Sequence, residues 1–148
     1  MTQPQFDFSM KYTKLDPEAI PPQKTYENDL GWDLFSLEDP IISPYNYQLV
    51  RTGIAIGFPP GVGGILKDRS GVASKQGLFI HAGVIDPGYT GEIKVLLYNS
   101  NKVHVEVKRG SKIAQMILMP VFKVSDFVEV EKLEETDRGE KGFGSSGS

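Results

Sequence analysis

The chain has 148 residues, of which 39% are hydrophobic and 24% are charged, the balance of one globular domain with a substantial core. It contains no cysteine and two histidines, which excludes disulfide frameworks, thiol nucleophiles and zinc sites built from three histidines or from histidine and cysteine. The net charge of −3 argues against a general nucleic-acid binder, and no stretch approaches the roughly 20 apolar residues that span a bilayer.

Short alternating segments recur along the chain and predict strands. Residues 6–12, 52–58 and 102–108 alternate apolar with polar side chains, and residues 127–133 do so again. Residues 113–122 form a more continuous apolar run, which is typical of a strand buried on both faces. Glycine and proline are above average usage and supply turn signals between these segments. The pattern predicts an all-β, jelly-roll-like sandwich or barrel.

One short helix is predicted inside this β architecture. Ser70 is a suitable N-cap, residues 72–76 can continue the helix, and Gly77 can end it. No internal repeat is visible, so residues 1–137 are expected to form a single β domain. Beyond them the sequence thins to glycine and serine, and residues 138–148 are expected to be a mobile C-terminal segment.

The most informative segment is residues 83–93, with the sequence GVIDPGYTGEI. Asp86, Pro87 and Gly88 suit the first three positions of a type II turn. Apolar runs stand before and after this turn, so two strands are expected to meet there. An aspartate at the first turn position can simply cap the turn backbone, or it can be a general base that takes a proton from an attacking water.

Four other segments stand in a fixed order around this turn. They are residues 31–34 (GWDL), 68–73 (DRSGVA), 110–115 (GSKIAQ) and 138–147 (RGEKGFGSSG). Together with the turn they resemble the five sequence motifs of the homotrimeric dUTP pyrophosphatases, the dUTPase family, over nearly the whole chain. The resemblance implies a dUTPase-like fold and hydrolysis of dUTP to dUMP and pyrophosphate. That reaction limits uracil incorporation into DNA and supplies dUMP for dTMP synthesis.

The resemblance assigns the chemistry to the turn. Asp86 becomes the general base for a water that attacks the α-phosphorus in line, and pyrophosphate leaves. Tyr89, otherwise an ordinary turn aromatic, packs beneath the deoxyribose and leaves no room for a 2′-hydroxyl. The backbone near Gly83 reads the uracil edge, and its closeness also excludes the thymine methyl.

The resemblance assigns the phosphates and a metal ion to other segments. Arg69, Ser70 and Gly71 form an anion site of charge-assisted donors and free helix N–H groups, or else a plain N-cap beside a surface arginine. Asp33 holds Mg²⁺ through water while the metal binds the triphosphate, or else it caps a strand. Gln115 contacts the phosphate end of the nucleotide or makes a structural hydrogen bond.

Three positions depart from the family pattern. Asp68 stands where a proline is expected, which affects the local turn geometry and not the chemistry. Trp32 replaces a tyrosine, a conservative exchange. Lys112 occupies the place of an arginine, and because lysine cannot reproduce a bidentate bond we assign it a structural role.

The C-terminal segment gains a role that its composition alone does not indicate, since a Gly/Ser tail is usually a disordered end. In the family arrangement Phe143 stacks on the uracil, and Gly144 and Ser145 wrap the γ-phosphate. Arg138 supplies positive charge to the phosphates as an arginine finger. The tail would close over the nucleotide as a lid on a neighbour's site, because the family builds each active site from three subunits.

Two other kinds of function fit parts of the sequence. The related dCTP deaminases share the jelly roll and a similar turn, but Leu96 stands where they carry a catalytic glutamate, and leucine cannot shuttle protons. A binding or regulatory module, or a structural jelly roll, would be expected to lack Asp86, Arg138 or Phe143. Residues 1–10 show no signal-peptide pattern, so an intracellular, cytoplasmic protein is expected, with a nuclear or virus-encoded origin also open.

Overall fold

Seven of the ten strands in the described residues have six residues or fewer, the longest has 11, and the helix has seven. The structure is a computed structural model that describes residues 8–142. In chain order the elements are β1 (Lys11–Lys14), β2 (Trp32–Phe35), β3 (Ile41–Ile42), β4 (Tyr47–Gly57), β5 (Val62–Lys67), α1 (Ser70–Gln76), β6 (Leu78–His81), β7 (Val84–Ile85), β8 (Glu92–Asn99), β9 (Val105–Glu106) and β10 (Lys112–Pro120).

The strands form two four-stranded sheets that enclose the core. The first sheet has the order β1-β4-β8-β6 and the second the order β2-β10-β5-β7, while β3 pairs with β9 in a small third sheet. All of these pairings are antiparallel. The predicted all-β class, a jelly-roll-like sandwich with one short helix, is confirmed.

The core is built from the inward-facing positions of both sheets. In β8, buried Ile93, Val95 and Leu97 alternate with more exposed neighbours. From the second sheet, Leu66 and Met116 pack into the same cluster. Because each buried aliphatic side chain stabilises the fold by about 1.5–3 kcal/mol relative to exposure, this alternation fixes which face of each strand points inward. It therefore also fixes which residues reach the rim of the sandwich.

Two of the predicted strands are shorter than expected. The N-terminal strand starts at Lys11, because its partner strand β4 ends at Gly57, the residue opposite Lys11. Of residues 102–108 only Val105–Glu106 pairs, because its partner β3 has two residues. Strand length here is set by the partner strand, which an alternating sequence does not reveal.

The strand predicted at residues 127–133 is wrong for the single chain. This segment forms no strand, and its apolar side chains are exposed, Phe127 by 93% and Leu133 by 80%. An alternating segment becomes a strand only when a neighbour supplies backbone hydrogen bonds, and none of the described residues does so here.

The helix lies where the sequence predicts it, with one change at its start. Arg69, not Ser70, is the N-cap, with an extended backbone (ψ 135°), so the N-cap prediction is wrong by one residue. The predicted stop is confirmed, because Gly77 adopts φ 62° and its N–H donates to the carbonyl of Ala73 at 3.1 Å. Within residues 8–142, no helix is long and apolar enough to cross a membrane.

Candidate active site

The Asp86 turn lies in the segment that connects two paired strands, β6 and β8. β6 and β8 pair with each other, as the flanking apolar runs predict, with His81 opposite Leu96. Between them the chain crosses to the other sheet as β7, so the turn links the two sheets instead of closing a simple hairpin. Gly88 has φ 84°, and the N–H of Tyr89 donates to the Asp86 carbonyl at 3.2 Å, as in the predicted type II turn.

The side chain of Asp86 is exposed and is not used to close the turn. Backbone atoms close the turn, and no donor among residues 8–142 is hydrogen-bonded to the Asp86 carboxylate. Asp86 therefore does not cap the turn backbone, which was one of the two roles that the sequence left open. A carboxylate without an internal partner is available to accept a proton from a bound water.

Tyr89 is folded back across the turn. Its hydroxyl donates to the carbonyl of Glu92 at 3.0 Å, and a Cβ at Gly91 would collide with the Tyr89 ring. The Glu92 carboxylate accepts the N–H of Gly53 at 2.9 Å and the Nε–H of Arg51 at 3.1 Å. The hydrogen bond from Arg51 to the Glu92 carboxylate raises the pKa of the Arg51 guanidinium above its usual value. The arm of the turn that carries Tyr89 is thus anchored to β4.

Gly83 brings its backbone close to the end of β5. Its carbonyl accepts the N–H of Leu66 at 2.7 Å, and its φ is 102°. A Cβ at this position would lie 3.0 Å from the Leu66 carbonyl oxygen. Both the backbone conformation and the close approach therefore require glycine.

Replacing Gly83 by alanine is expected to lower the free energy of unfolding by about 1–3 kcal/mol, because the new Cβ is strained at positive φ and crowds the Leu66 carbonyl. Urea unfolding followed by circular dichroism measures the change. Gly71→Ala is the matched control, since a Cβ at Gly71 meets nothing within 4 Å, and it is expected to cost nothing. Equal stability of the two variants would contradict this account of Gly83.

An open cleft of about 490 Å³ borders the turn, and we call it the turn cleft. Its lining includes Leu49, Leu66, Gly83, Asp86 and Tyr89. Glu92 and Lys94 also line it. Apolar side chains, exposed backbone and a carboxylate with no hydrogen-bond partner among residues 8–142 can receive a flat heterocycle beside a reacting group.

Asp33 lies on β2 and joins two cations from different parts of the chain. Its Oδ1 is 2.8 Å from Nε of Arg69, and its Oδ2 is 2.8 Å from Nζ of Lys112. Lys112 also donates to Oγ1 of Thr25 at 3.0 Å, which fits the structural role assigned to it. Because Asp33 is 7% exposed, losing either cation would leave a buried charge underpaired. The Arg69 side chain, held by Asp33, stays 32% exposed.

Ser70 and Gly71 are exposed at the start of α1, next to Arg69. Gln115, on β10, donates from Nε2 to the carbonyl of Asp68 at 2.7 Å, which is the structural hydrogen bond that the sequence allowed. A Cβ at Gly31 would collide with the Gln115 side chain, so glycine there makes room for the amide. Gln115 therefore supports the segment that carries Arg69.

A second open cleft of about 440 Å³ lies over these residues, and we call it the helix cleft. Its lining includes Asp33, Arg69, Ser70, Gly71 and Gln115. A guanidinium, a hydroxyl and backbone N–H groups of the first helical turn supply donors for an anion.

The two clefts share no lining residue within the described part of the chain. The structure thus brings Gly83, Asp86 and Tyr89 together, but it does not join them to Arg69. Arg138 lies in an exposed turn, where its Nε–H donates to the Lys141 carbonyl at 3.2 Å, and it lines neither cleft. The predicted contacts of Phe143, Gly144 and Ser145 fall outside the described residues.

A resident metal ion would find few ligands in either cleft. Residues 8–142 contain no group of three or more His, Asp or Glu side chains placed to hold a metal ion. Asp33 already has both oxygens engaged by cations. The residues present therefore fit Mg²⁺ only indirectly, through water and the oxygens of a bound phosphate chain, as Mg²⁺ commonly binds.

Several residues that shape the clefts were not predicted from the sequence. Glu92 and Gly91 place Tyr89, Gly31 makes room for Gln115, and Thr25 supports Lys112. The glycines in the segments GWDL and GEI were the available signal, because glycine often marks a close approach. The partners of Glu92 and Thr25 depend on contacts between distant parts of the chain.

Fold and clefts together define an all-β protein with one cleft lined by anion donors and another lined by an exposed carboxylate. Comparison with known proteins narrows this class. The family model described as dUTPase matches residues 17–147. The chain belongs to the dUTPase family.

Relatives and solved structures resemble the chain along most of its length. The deoxyuridine 5'-triphosphate nucleotidohydrolase of Clostridium tetani is 42% identical over 143 residues, 95% of this chain and 98% of that protein. That of Gloeothece citriformis is 45% identical over 140 residues, covering 93% and 96%. The dUTPase of Staphylococcus bacteriophage 80alpha with dUPNHPP has a TM-score of 0.88 at 29% identity, covering 95% and 99%. A mutant dUTPase of phage phi11 of S. aureus, studied for its structural Mg(II) ion, has a TM-score of 0.80 at 26% identity, covering 86% and 100%.

Proposed function

We propose that this protein is a dUTP diphosphatase, which hydrolyses dUTP to dUMP and pyrophosphate. The reaction limits uracil incorporation into DNA and supplies dUMP for dTMP synthesis. The observation that carries the proposal is the exposed Asp86 carboxylate, which has no hydrogen-bond partner among residues 8–142 and lies beside Tyr89 and Gly83, in a chain of the dUTPase family. The relatives named above are deoxyuridine triphosphate nucleotidohydrolases, and the phage 80alpha dUTPase was solved with dUPNHPP.

Asp86 acts as the general base of this reaction. A water hydrogen-bonded to its carboxylate gives up a proton to Asp86 as the water oxygen bonds to the α-phosphorus. The bond from the α-phosphorus to the oxygen bridging to the β-phosphate breaks on the opposite side, and that oxygen leaves with the pyrophosphate. The absence of an internal partner for the carboxylate among the described residues supports this role.

Gly83 and Tyr89 select the nucleoside. The uracil edge is read by backbone groups near Gly83, which lines the turn cleft. The Tyr89 ring, fixed by its bond to the Glu92 carbonyl, supports the deoxyribose and crowds a 2′-hydroxyl. Rejection of UTP then rests on a steric clash with a ring that cannot easily move.

Arg69, Ser70 and Gly71 bind the phosphate chain in the helix cleft. Asp33, which is also paired with Lys112, holds Nε of the Arg69 guanidinium, so the other N–H groups of Arg69 can pair with phosphate oxygens. Mg²⁺ bound to the triphosphate would neutralise part of its charge and favour departure of pyrophosphate. Asp33 would touch that ion through water only.

The separation of the two clefts supports a homotrimer with shared active sites. One nucleotide cannot use Asp86 and Arg69 of the same chain if their clefts do not meet, whereas a second copy can bring its helix cleft to the first copy's turn cleft. Residues 138–148 of the third copy would close the site as a lid, carrying Arg138, Phe143, Gly144 and Ser145. Since its substrate is a metabolite of the cell interior, the proposed enzyme is intracellular, most simply cytoplasmic.

Mixed trimers test the sharing of sites. Asp86→Asn and Arg69→Ala chains, each nearly inactive alone, are expected to recover roughly a quarter of the wild-type activity when co-expressed in equal amounts. The recovery arises because each half-site is intact in half of the subunits, and a site needs both halves intact. Activity per co-purified complex, with its mass from light scattering, measures the effect. No recovery would mean that both halves come from one chain.

The proposed activity itself is tested by pyrophosphate release from dUTP, dCTP, dTTP and UTP with Mg²⁺. Release from dUTP alone is the expected result. Ammonia release from dCTP would instead indicate a deaminase, and inactivity on all four nucleotides would indicate a binding module.

A further inference from the structure

Asp68 makes a hydrogen bond that the proposed reaction does not use. It stands between the end of β5 and Arg69, where a proline is expected from the family pattern. Its Oδ1 accepts the backbone N–H of Ile80 at 2.6 Å. Ile80 lies on β6, the edge strand of the first sheet, while β5 belongs to the second sheet. The Asp68 side chain therefore joins the two sheets at the point where the chain leaves β5.

The backbone of Asp68 is fixed as well. Its carbonyl accepts Nε2 of Gln115 at 2.7 Å, so one residue is held from β10 through its main chain and from β6 through its side chain. Two residues earlier, the N–H of Leu66 donates to the Gly83 carbonyl at 2.7 Å. The Asp68 carboxylate thus adds one more hydrogen bond along the line where the end of β5 meets the segment after β6.

The bond between Asp68 and Ile80 positions whichever of its two segments is less firmly held by other contacts. Ile80 is paired with Leu97 of β8, inside the first sheet. Arg69 directly follows Asp68 and begins a helix of seven residues, which has little stability of its own. β6 is therefore a fixed point, and the bond from Ile80 to the Asp68 carboxylate acts together with the Gln115 bond to the Asp68 carbonyl to position the segment that carries Arg69.

We propose that Asp68 is a positioning residue for the phosphate site. Its bond to the Ile80 N–H sets where Arg69 stands opposite Asp33, and so sets the affinity for the phosphate chain of the substrate. A proline at this position could not make the bond. The inference rests on the proposed function for its substrate, but the bond and its effect on anion binding do not depend on dUTP being the nucleotide.

The test compares Asp68→Ala with Asp68→Asn. Alanine removes the acceptor, so KM for dUTP is expected to rise by about 10- to 100-fold with a smaller change in kcat, because Arg69 is misplaced before and during the reaction. Asparagine keeps an oxygen acceptor for the Ile80 N–H, so Asp68→Asn is expected to stay within about threefold of the wild type. Binding of inorganic tripolyphosphate, measured by calorimetry, is expected to weaken in the alanine variant by a similar factor to KM.

Asp39→Ala is the matched control. Asp39 accepts the backbone N–H of Arg109 at 2.6 Å, a bond of the same kind that borders neither cleft. If Asp68 were only structural, Asp68→Ala would resemble Asp39→Ala, with a lower melting temperature and unchanged KM and tripolyphosphate binding, and the proposal would be overturned. A wild-type protein inactive on dUTP would instead overturn the proposed function, while tripolyphosphate binding would still decide the role of Asp68.

Discussion

Asp86→Asn is expected to lower kcat for dUTP by roughly 10²- to 10⁴-fold, the range for removal of a general base. Asparagine has nearly the same shape as aspartate and leaves the turn intact, because the turn is closed by the backbone bond between Tyr89 and Asp86. KM is expected to change little, since a base that acts on the attacking water contributes mainly in the transition state.

Pyrophosphate release in a steady-state assay measures the loss, and calorimetric binding of dUTP to the variant shows that the site persists. Glu106→Gln is the control for exchanging a carboxylate with an amide, because Glu106 is exposed on β9 and lines neither cleft. Should Asp86→Asn keep more than a tenth of the wild-type kcat, another group must activate the water.

Deleting residues 138–148 is expected to lower kcat/KM for dUTP by roughly 10²-fold or more, in line with the effect of arginine fingers and closing segments in phosphoryl transfer. Stability is expected to stay the same, because Arg138 is exposed and bonds only to Lys141 within the described chain. A steady-state assay beside a thermal melt separates the two quantities.

Arg138→Lys refines this experiment. Lysine keeps the charge but cannot form two parallel hydrogen bonds with phosphate oxygens. An intermediate loss of kcat/KM would show that the guanidinium itself is needed, and a wild-type kcat/KM would show that the positive charge is sufficient. Unchanged kcat/KM in the truncated protein would remove the lid from the proposal and leave the turn and helix clefts as the whole site.

The parts of the fold that the sequence predicts are those decided locally. Gly77 ends the helix and Gly88 completes the turn at positive φ, a requirement that the residue type itself reveals. The crossing of the chain between the sheets at β7 was not predicted, because its partner β5 lies about 20 residues earlier in the chain. The same reason explains the wrong strand prediction at residues 127–133. Their alternation is compatible with a strand but does not show which segment would pair with it.

In the candidate site, too, the local features were predicted from the sequence and the contacts between distant segments were not. Gly83, Asp86 and Tyr89 are close in sequence, and the structure places them in one cleft. The joint hold of Asp33 on Arg69 and Lys112 was not predicted, because it arises from the packing of β2 beside β10 and of β10 beside β5. The motifs therefore name these residues, whereas the contacts that join them appear only when the strands are packed together.

The exposed segment after β10 has a consequence for how this protein reaches its working form. Between residues 121 and 133, side chains such as Phe122, Phe127 and Val128 are 84%, 93% and 78% exposed. An isolated chain with this much exposed apolar surface is prone to unspecific association, and in the proposed homotrimer another copy of the chain can cover this segment. In the proposed homotrimer, folding and assembly are then coupled, and the stability of each chain depends on the protein concentration.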